Sequence, residues 1–176
     1  MMDNLFKSSP DQSLPPRRLP FDCGDLSMRI GVDGTWYYQN SPIGRMALVK
    51  LFASVLRREG DEYFLVTPAE RGRIIVDDAP FVVVAMRSLG AGQDQQIFFT
   101  TSLGEEVRLD SDHPLSIRFK ADGEPRPYIL VRDNLMGLIN RPVFYQLVDL
   151  ALAQGDDGSK LGLWSCGEFF AFDGVD

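Results

Sequence analysis

The sequence predicts an α+β fold in two lobes, each built from a strand, strand, helix, strand, strand unit, with an extra three-stranded antiparallel meander in the second lobe. Three observations carry this expectation. First, the stretch Leu26 to Gly34 returns 89 positions later as Leu115 to Gly123 with five of nine residues identical, and both copies end in Asp-Gly, the signal of a strand entering a hairpin turn. Second, each copy is followed by one segment whose apolar residues recur at spacings of three and four, the period of a helix with one buried face. Third, the intervening segments are short, rich in β-branched and aromatic residues, and bounded by Gly and Pro, as pleated strands are. The expected organisation is a flexible N-terminal arm over residues 1–20, a first lobe over 21–79 and a second over 80–176.

Taken in order, Leu26 to Gly31 opens the first unit, turns at Val32-Asp33-Gly34 and returns through Thr35 to Tyr38. Ser41-Pro42 supplies a capping hydroxyl and a proline at the first helical position, where its missing N–H costs nothing. The helix is expected over Ile43 to Arg58, with Gly60 ending it. Glu62 to Thr67 and Arg73 to Val76 complete the unit around a loop from Pro68 to Gly72. The meander follows as Phe81 to Arg87, Gln96 to Thr101 and Glu105 to Leu109, and is expected to join the sheet of the second copy. That copy comprises Leu115 to Lys120, Tyr128 to Val131, a loop from Arg132 to Ile139, a helix capped by Asn140 and stopped by Gly155, and a closing pair of strands around Cys166-Gly167.

Composition bounds the function. With 176 residues, 44% apolar and 24% charged, the chain can bury a sizeable core. Its formal charge of -7 argues against nucleic-acid binding, which depends on clustered Lys and Arg. The opening stretch contains four of the eleven prolines and no apolar run of signal-peptide length, and the run from Pro80 to Met86 is far too short to cross a bilayer, so a cytoplasmic protein without membrane association is expected. Two cysteines and one histidine cannot make a structural zinc site, and neither a metal nor a cofactor is expected.

No catalytic phrase of known mechanics is present. Cys23, in the irregular segment Phe21-Asp22-Cys23-Gly24-Asp25, is the thiol that could act as a nucleophile, although Asp22 and Asp25 disfavour a thiolate unless a cation such as Arg45 approaches. The alternative is a small packed side chain. The expected helix start places free N–H groups and Arg45 beside Ser41, a natural anion clamp or simply an ordinary cap with a solvated arginine. Trp36 either packs in the core or walls a groove with its ring. Thr67, Glu70 and Arg73 flank a mixed-charge loop suited to gating such a groove, or merely to solvation.

The segments Cys23-Gly24, Asp33-Gly34-Thr35-Trp36, Ser41-Pro42-Ile43-Gly44-Arg45, Leu51-Phe52-Ala53, Thr67-Pro68-Ala69-Glu70 and Asp78-Ala79-Pro80-Phe81, in this order and spacing, resemble a bacterial family known as domain of unknown function 1285. The resemblance spans nearly everything after residue 20. It implies a tandem duplication of an α+β unit, a C-terminal half superficially similar to pleckstrin-homology domains, a ligand site between the halves involving a cysteine, which by position is Cys23, and a role in signalling or regulation.

Two functions from different classes follow as expectations. One is a binding module that holds a small molecule or peptide between its lobes, with Trp36, Ser41, Arg45, Thr67, Glu70 and Arg73 as contacts, and passes occupancy to a protein partner. The other is an enzyme using Cys23 as nucleophile.

Overall fold

The computed structural model describes residues 19–154 and 160–172. Gly155 and residues 1–18 of the expected arm lie outside the described residues. Two six-stranded sheets dominate an α+β architecture. The first contains β1 (Phe21–Ile30), β2 (Trp36–Tyr38), β3 (Ser41–Pro42), β4 (Leu56–Glu59), β5 (Glu62–Val66) and β6 (Glu70–Val76), with α1 (Met46–Ser54) between β3 and β4. The second contains β7 (Phe81–Leu89), β8 (Gln96–Thr101), β9 (Glu106–Arg108), β10 (Leu115–Phe119), β11 (Pro125–Arg132) and β12 (Leu135–Ile139), and α2 (Arg141–Gln154) follows it. A separate two-stranded sheet is formed by β13 (Gly162–Ser165) and β14 (Glu168–Ala171).

Strand connectivity repeats between the sheets, β1–β6 answering to β7–β12, with the repeated stretch at β1 in the central parallel pair of one and at edge strand β10 of the other. The first sheet runs β3-β2-β1-β6-β5-β4 and the second β9-β8-β7-β12-β11-β10, so each is a pair of three-stranded meanders. In each, the first strand of one meander lies parallel to the last strand of the other, β1 to β6 and β7 to β12. The expected meander joins the second sheet through this parallel β7–β12 pair. The two copies of the repeated stretch both run into hairpins, Ile30 opposite Trp36 and Phe119 opposite Pro125.

Local departures from expectation have local causes. The first helix is shorter than the stretch from Ile43 to Arg58, because Ser41-Pro42 pairs with Tyr37-Tyr38 as an edge strand through a tight turn with Gln39 and Asn40 at φ 47° and 64°. Arg45 occupies the N-cap position, where its side chain, a donor only, makes no cap hydrogen bond. At the other end the Ser54 hydroxyl donates back to Leu51 O at 2.6 Å, and the chain becomes extended at Leu56. Gly60, at φ 62°, then sits in the two-residue turn between β4 and β5 rather than at a helix end. The loop expected over Pro68 to Gly72 contracts to a turn closed by Thr67: its N–H donates to Glu70 O at 2.8 Å and its hydroxyl accepts from Glu70 N at 3.0 Å. Residues 132–139, expected as a loop, form the β11–β12 turn and β12. Asn140 does cap α2, its Oδ1 accepting from Val143 N at 3.0 Å.

One hydrophobic cluster runs through both sheets. It includes Met28, Ile30, Leu65 and Ile74 of the first sheet, Val49 and Ala53 of α1, Phe81, Ile97, Phe99 and Ile129 of the second sheet, and Val143 and Leu147 of α2. Each such aliphatic side chain contributes about 1.5–3 kcal/mol on full burial. Gly72 is required within it: a Cβ there would lie 2.4–2.6 Å from three side-chain carbons of Leu26.

The junction of the sheets is closed by polar clamps as well. The β11–β12 turn reaches across, with Arg132 Nη2 donating to Ala53 O at 2.6 Å and Asn134 Nδ2 donating to Arg58 O at 3.1 Å. The Arg132 guanidinium also lies 5.2 Å from the Phe81 ring and 3.6 Å from Glu105 Oε2. Asp78, in the connection between sheets, accepts from Tyr128 Oη at 2.7 Å and from Arg126. Gly34 abuts Val82 and Ser102, and Lys50 Nζ approaches Gly104.

Candidate functional site

Alternation along the strands sends Leu26, Met28 and Ile30 of β1 inward, leaving Asp25, Ser27 and Arg29 on the opposite, solvent-facing side of the first sheet. The same rule turns Ile74 inward and Arg73 and Ile75 outward on β6. Ile75 is 55% exposed, an aliphatic side chain in the middle of a charged surface.

Two concavities meet at Ile75. One, of about 340 Å³, is lined by Ser27, Met28, Arg29, Gln39, Asn40 and Ile75. The other, of about 290 Å³, is lined by Asp25, Asp61, Glu62, Tyr63, Arg73 and Ile74 to Val76. Both are open to solvent. Their shape originates in β1, where Asp22 pairs with Arg71, Asp25 with Arg73, and Arg29 with Ile75. Three steps along β1 thus match two along β6, and the next four again match two, so β1 bulges twice. Gly24 at φ 70° marks the first bulge and Ser27 at φ 54° the second. Ser27 O accepts from Gln39 N at 2.9 Å, which holds the β2–β3 turn beside the second bulge. Ser27, Gln39 and Asn40 are all left-handed non-glycine residues and all line the larger concavity, and such conformations are held only where the surroundings over-determine them.

Charge on this face is arranged in rows across the strands. Arg73 lies between Glu62 (2.9 Å) and Asp25 (3.0 Å), and Arg71 between Glu59 (3.1 Å) and Asp22 (3.7 Å). Hydrogen bonds donated to Glu62 first, then to Asp25, raise the pKa of the Arg73 guanidinium above its ordinary value. Arg29 pairs with Asp77 and stacks 4.4 Å over Tyr37, and Arg71 lies 4.0 Å over Phe64.

The residues singled out from the sequence divide into two groups. Cys23, Thr67, Glu70 and Arg73 fall at the β1–β6 end of the solvent-facing sheet, where Phe21 pairs with Glu70. Cys23 lies inside β1 at the first bulge and is exposed; among the described residues its Sγ hydrogen-bonds only Phe21 O, at 3.9 Å, and no base is bonded to it. Thr67 and Glu70 are engaged in their own turn, and of these four only Arg73 lines either of the two concavities described above. Trp36, Ser41 and Arg45 fall elsewhere. Trp36 is 2% exposed, stacks on Phe52 with centroids 6.2 Å apart, and its buried Nε1 has no hydrogen-bond partner among the described residues. Ser41 is exposed on edge strand β3, and Arg45 is exposed at the start of α1. Asp25, Ser27, Gln39, Asn40 and Ile75 were not singled out; the dipeptide Gln39-Asn40 between two aromatic residues and Ser-Pro was the signal for a turn, but which of Ile74 and Ile75 faces outward depends on register.

Among the described residues no group of three or more His, Cys, Asp or Glu side chains is placed to hold a metal ion, and no helix is long and apolar enough to cross a membrane. The geometry is that of an α+β protein with a solvent-facing, charged and partly apolar sheet surface. Residues 17–79 match the family described as "Domain of unknown function (DUF1285), N-terminal domain", and residues 80–172 match "Protein of unknown function (DUF1285), C-terminal domain". The chain belongs to the DUF1285 family. A crystal structure of a DUF1285 family protein from Silicibacter pomeroyi DSS-3 is 45% identical with a TM-score of 0.82, over 89% of this chain and 85% of that one. A second, from Shewanella baltica OS155, is 28% identical with a TM-score of 0.57, over 71% of this chain and 91% of that one. No curated protein matches the chain.

Proposed function

We propose that the protein is a non-catalytic, cytoplasmic recognition module that binds an extended peptide segment on the solvent-facing side of its first sheet and serves a regulatory role. The observation that carries this reading is the pair of open concavities meeting at exposed Ile75. The larger is lined by two side-chain amides, Gln39 and Asn40, and by Ser27, groups that donate to and accept from peptide N–H and C=O equally well. Ile75 offers an aliphatic contact between the concavities, and the surface is shallow, as suits an extended chain more than an enclosed small molecule. A ligand was expected at the seam between the sheets, which Arg132 and Asn134 bridge; the open concavities favour the outer face instead.

The test is an NMR titration of the full chain with a pool of short peptides, each carrying one central leucine. The proposal predicts amide and methyl shifts concentrated at Ser27, Arg29, Gln39, Asn40 and Ile75. Shifts concentrated at Trp36, Ser41 and Arg45, or none at all, would overturn it.

A further inference from the structure

The solvent-facing side of the first sheet carries more carboxylate than cation around the smaller concavity. Asp25, Asp61 and Glu62 line it against a single guanidinium, Arg73. That guanidinium is already divided between Asp25 Oδ2 and Glu62 Oε1, while Asp61, fully exposed, has Arg58 3.3 Å away outside the lining. Asp25 and Glu62 therefore share one positive charge between them. The adjacent row repeats the pattern, Asp22 and Glu59 sharing Arg71. The remaining cation that borders the site, Arg29, is neutralised by Asp77, and Arg57 donates to backbone carbonyls of Ser54 and Leu56. Within the lining, the Asp25–Arg73–Glu62 row thus has one carboxylate more than it has guanidinium, while Arg57, bonded to neutral carbonyls, keeps its charge outside the lining; a further cation beside this row would complete the alternation.

Resting on the recognition reading above, we infer that the partner segment is basic: it lays an aliphatic side chain on Ile75 and places a lysine or arginine in the smaller concavity against the side of Asp25 or Glu62 turned away from Arg73. A second copy of this chain is the poorer occupant, because two such faces would set negatively charged rows against each other and the chain as a whole carries -7. A cationic side chain in contact with half-exposed carboxylates favours association by up to about fivefold per well-placed pair at low salt, and the effect fades as salt screens it.

The experiment titrates the full chain with three short peptides that share a central leucine and differ in their flanks, lysine, serine or glutamate, read by NMR shifts at Ile75 and by calorimetry. The inference predicts that the lysine peptide binds about two- to fivefold tighter than the serine peptide and that the glutamate peptide binds weakest. It also predicts that the double substitution Asp25→Asn with Glu62→Gln brings the lysine peptide down to the serine peptide's affinity. Equal binding of all three at Ile75 would overturn the charge inference while leaving the recognition reading standing. Binding of none would overturn both. Concentration-dependent dimerisation abolished by Ile75→Arg would also overturn the inference, by assigning the face to a second copy.

Discussion

Replacing Arg132 with methionine removes the clamp that joins the second sheet to α1 and leaves the apolar stem in place. Ala53 is in the last turn of α1, where its carbonyl faces only the N–H of the C-cap residue Val55 locally, and that turn contains no basic side chain of its own. Arg132 supplies both the hydrogen bond, at 2.6 Å, and the positive charge that suits a helix C-terminus. A hydrogen bond from a charged donor contributes about 1.5–3 kcal/mol. The contact with the Phe81 ring adds about 0.5 kcal/mol or more, and the ion pair with Glu105, both partners being partly exposed, adds little. The expected loss is about 2–3 kcal/mol, which for a chain of this size lowers Tm by about 4–12 °C. Circular dichroism on heating measures it, with Arg132→Lys as the companion, since lysine restores the charge without the planar fork and should recover only part of the loss. A fall of less than about 2 °C on the scale just given, or two separate transitions in the unsubstituted protein, would refute the reasoning that the sheets unfold as one body through this contact.

Other outcomes follow from the same geometry. Gly72→Ala forces a methyl against Leu26 and should cost about 1–3 kcal/mol, with Leu26→Ala on top restoring part of it in a double-mutant cycle. Stability should decline in acid. Thr35 backbone and hydroxyl donors hold Asp33 below the usual carboxylate value, Arg87 does so for Glu106, and Lys120 and Arg141 for Glu124. For Asp110, burial raises the value but hydrogen bonds from His113 and Arg108 outweigh it. Each folded value lies below its unfolded one, near 4, so the stabilisation is complete above the unfolded values and is lost as pH falls through the folded ones, readable as Tm between about pH 6 and 2. Cys23→Ser should leave peptide titrations unchanged, whereas loss of binding or of a turnover would return the thiol to the centre of the function.

The hairpins and the second helix were legible because their signals are local. Asp33-Gly34 and Asp122-Gly123 each turn the chain by their own conformational freedom, and Asn140 caps α2 with its own side chain. The first helix was harder to bound. Leu56 continues the apolar spacing of α1 yet belongs to β4, where pairing with Leu65 buries it completely; a core position satisfies both periods at once. Strand β12 was hidden for the opposite reason, since Gly137 and Met136 weaken its strand signature and it is stabilised by its pairings on both edges, antiparallel with β11 and parallel with β7. At the candidate site, Arg73 could be picked as a charged residue beside a loop, but its sharing between Asp25 and Glu62 comes from pairings across three strands. The outward turn of Ile75 depends likewise on two bulges in β1 that no residue spacing announces.

The most direct test of the recognition surface is photocrosslinking with the lysine-flanked peptide carrying a benzophenone at its central apolar position, followed by mass spectrometry of the adduct. Adducts on Arg29, Gln39, Asn40 or Ile75 are the predicted result. Adducts on α1, the turn from Ser102 to Gly104 or the tip at Arg132 to Asn134 would place the ligand between the sheets and contradict the account.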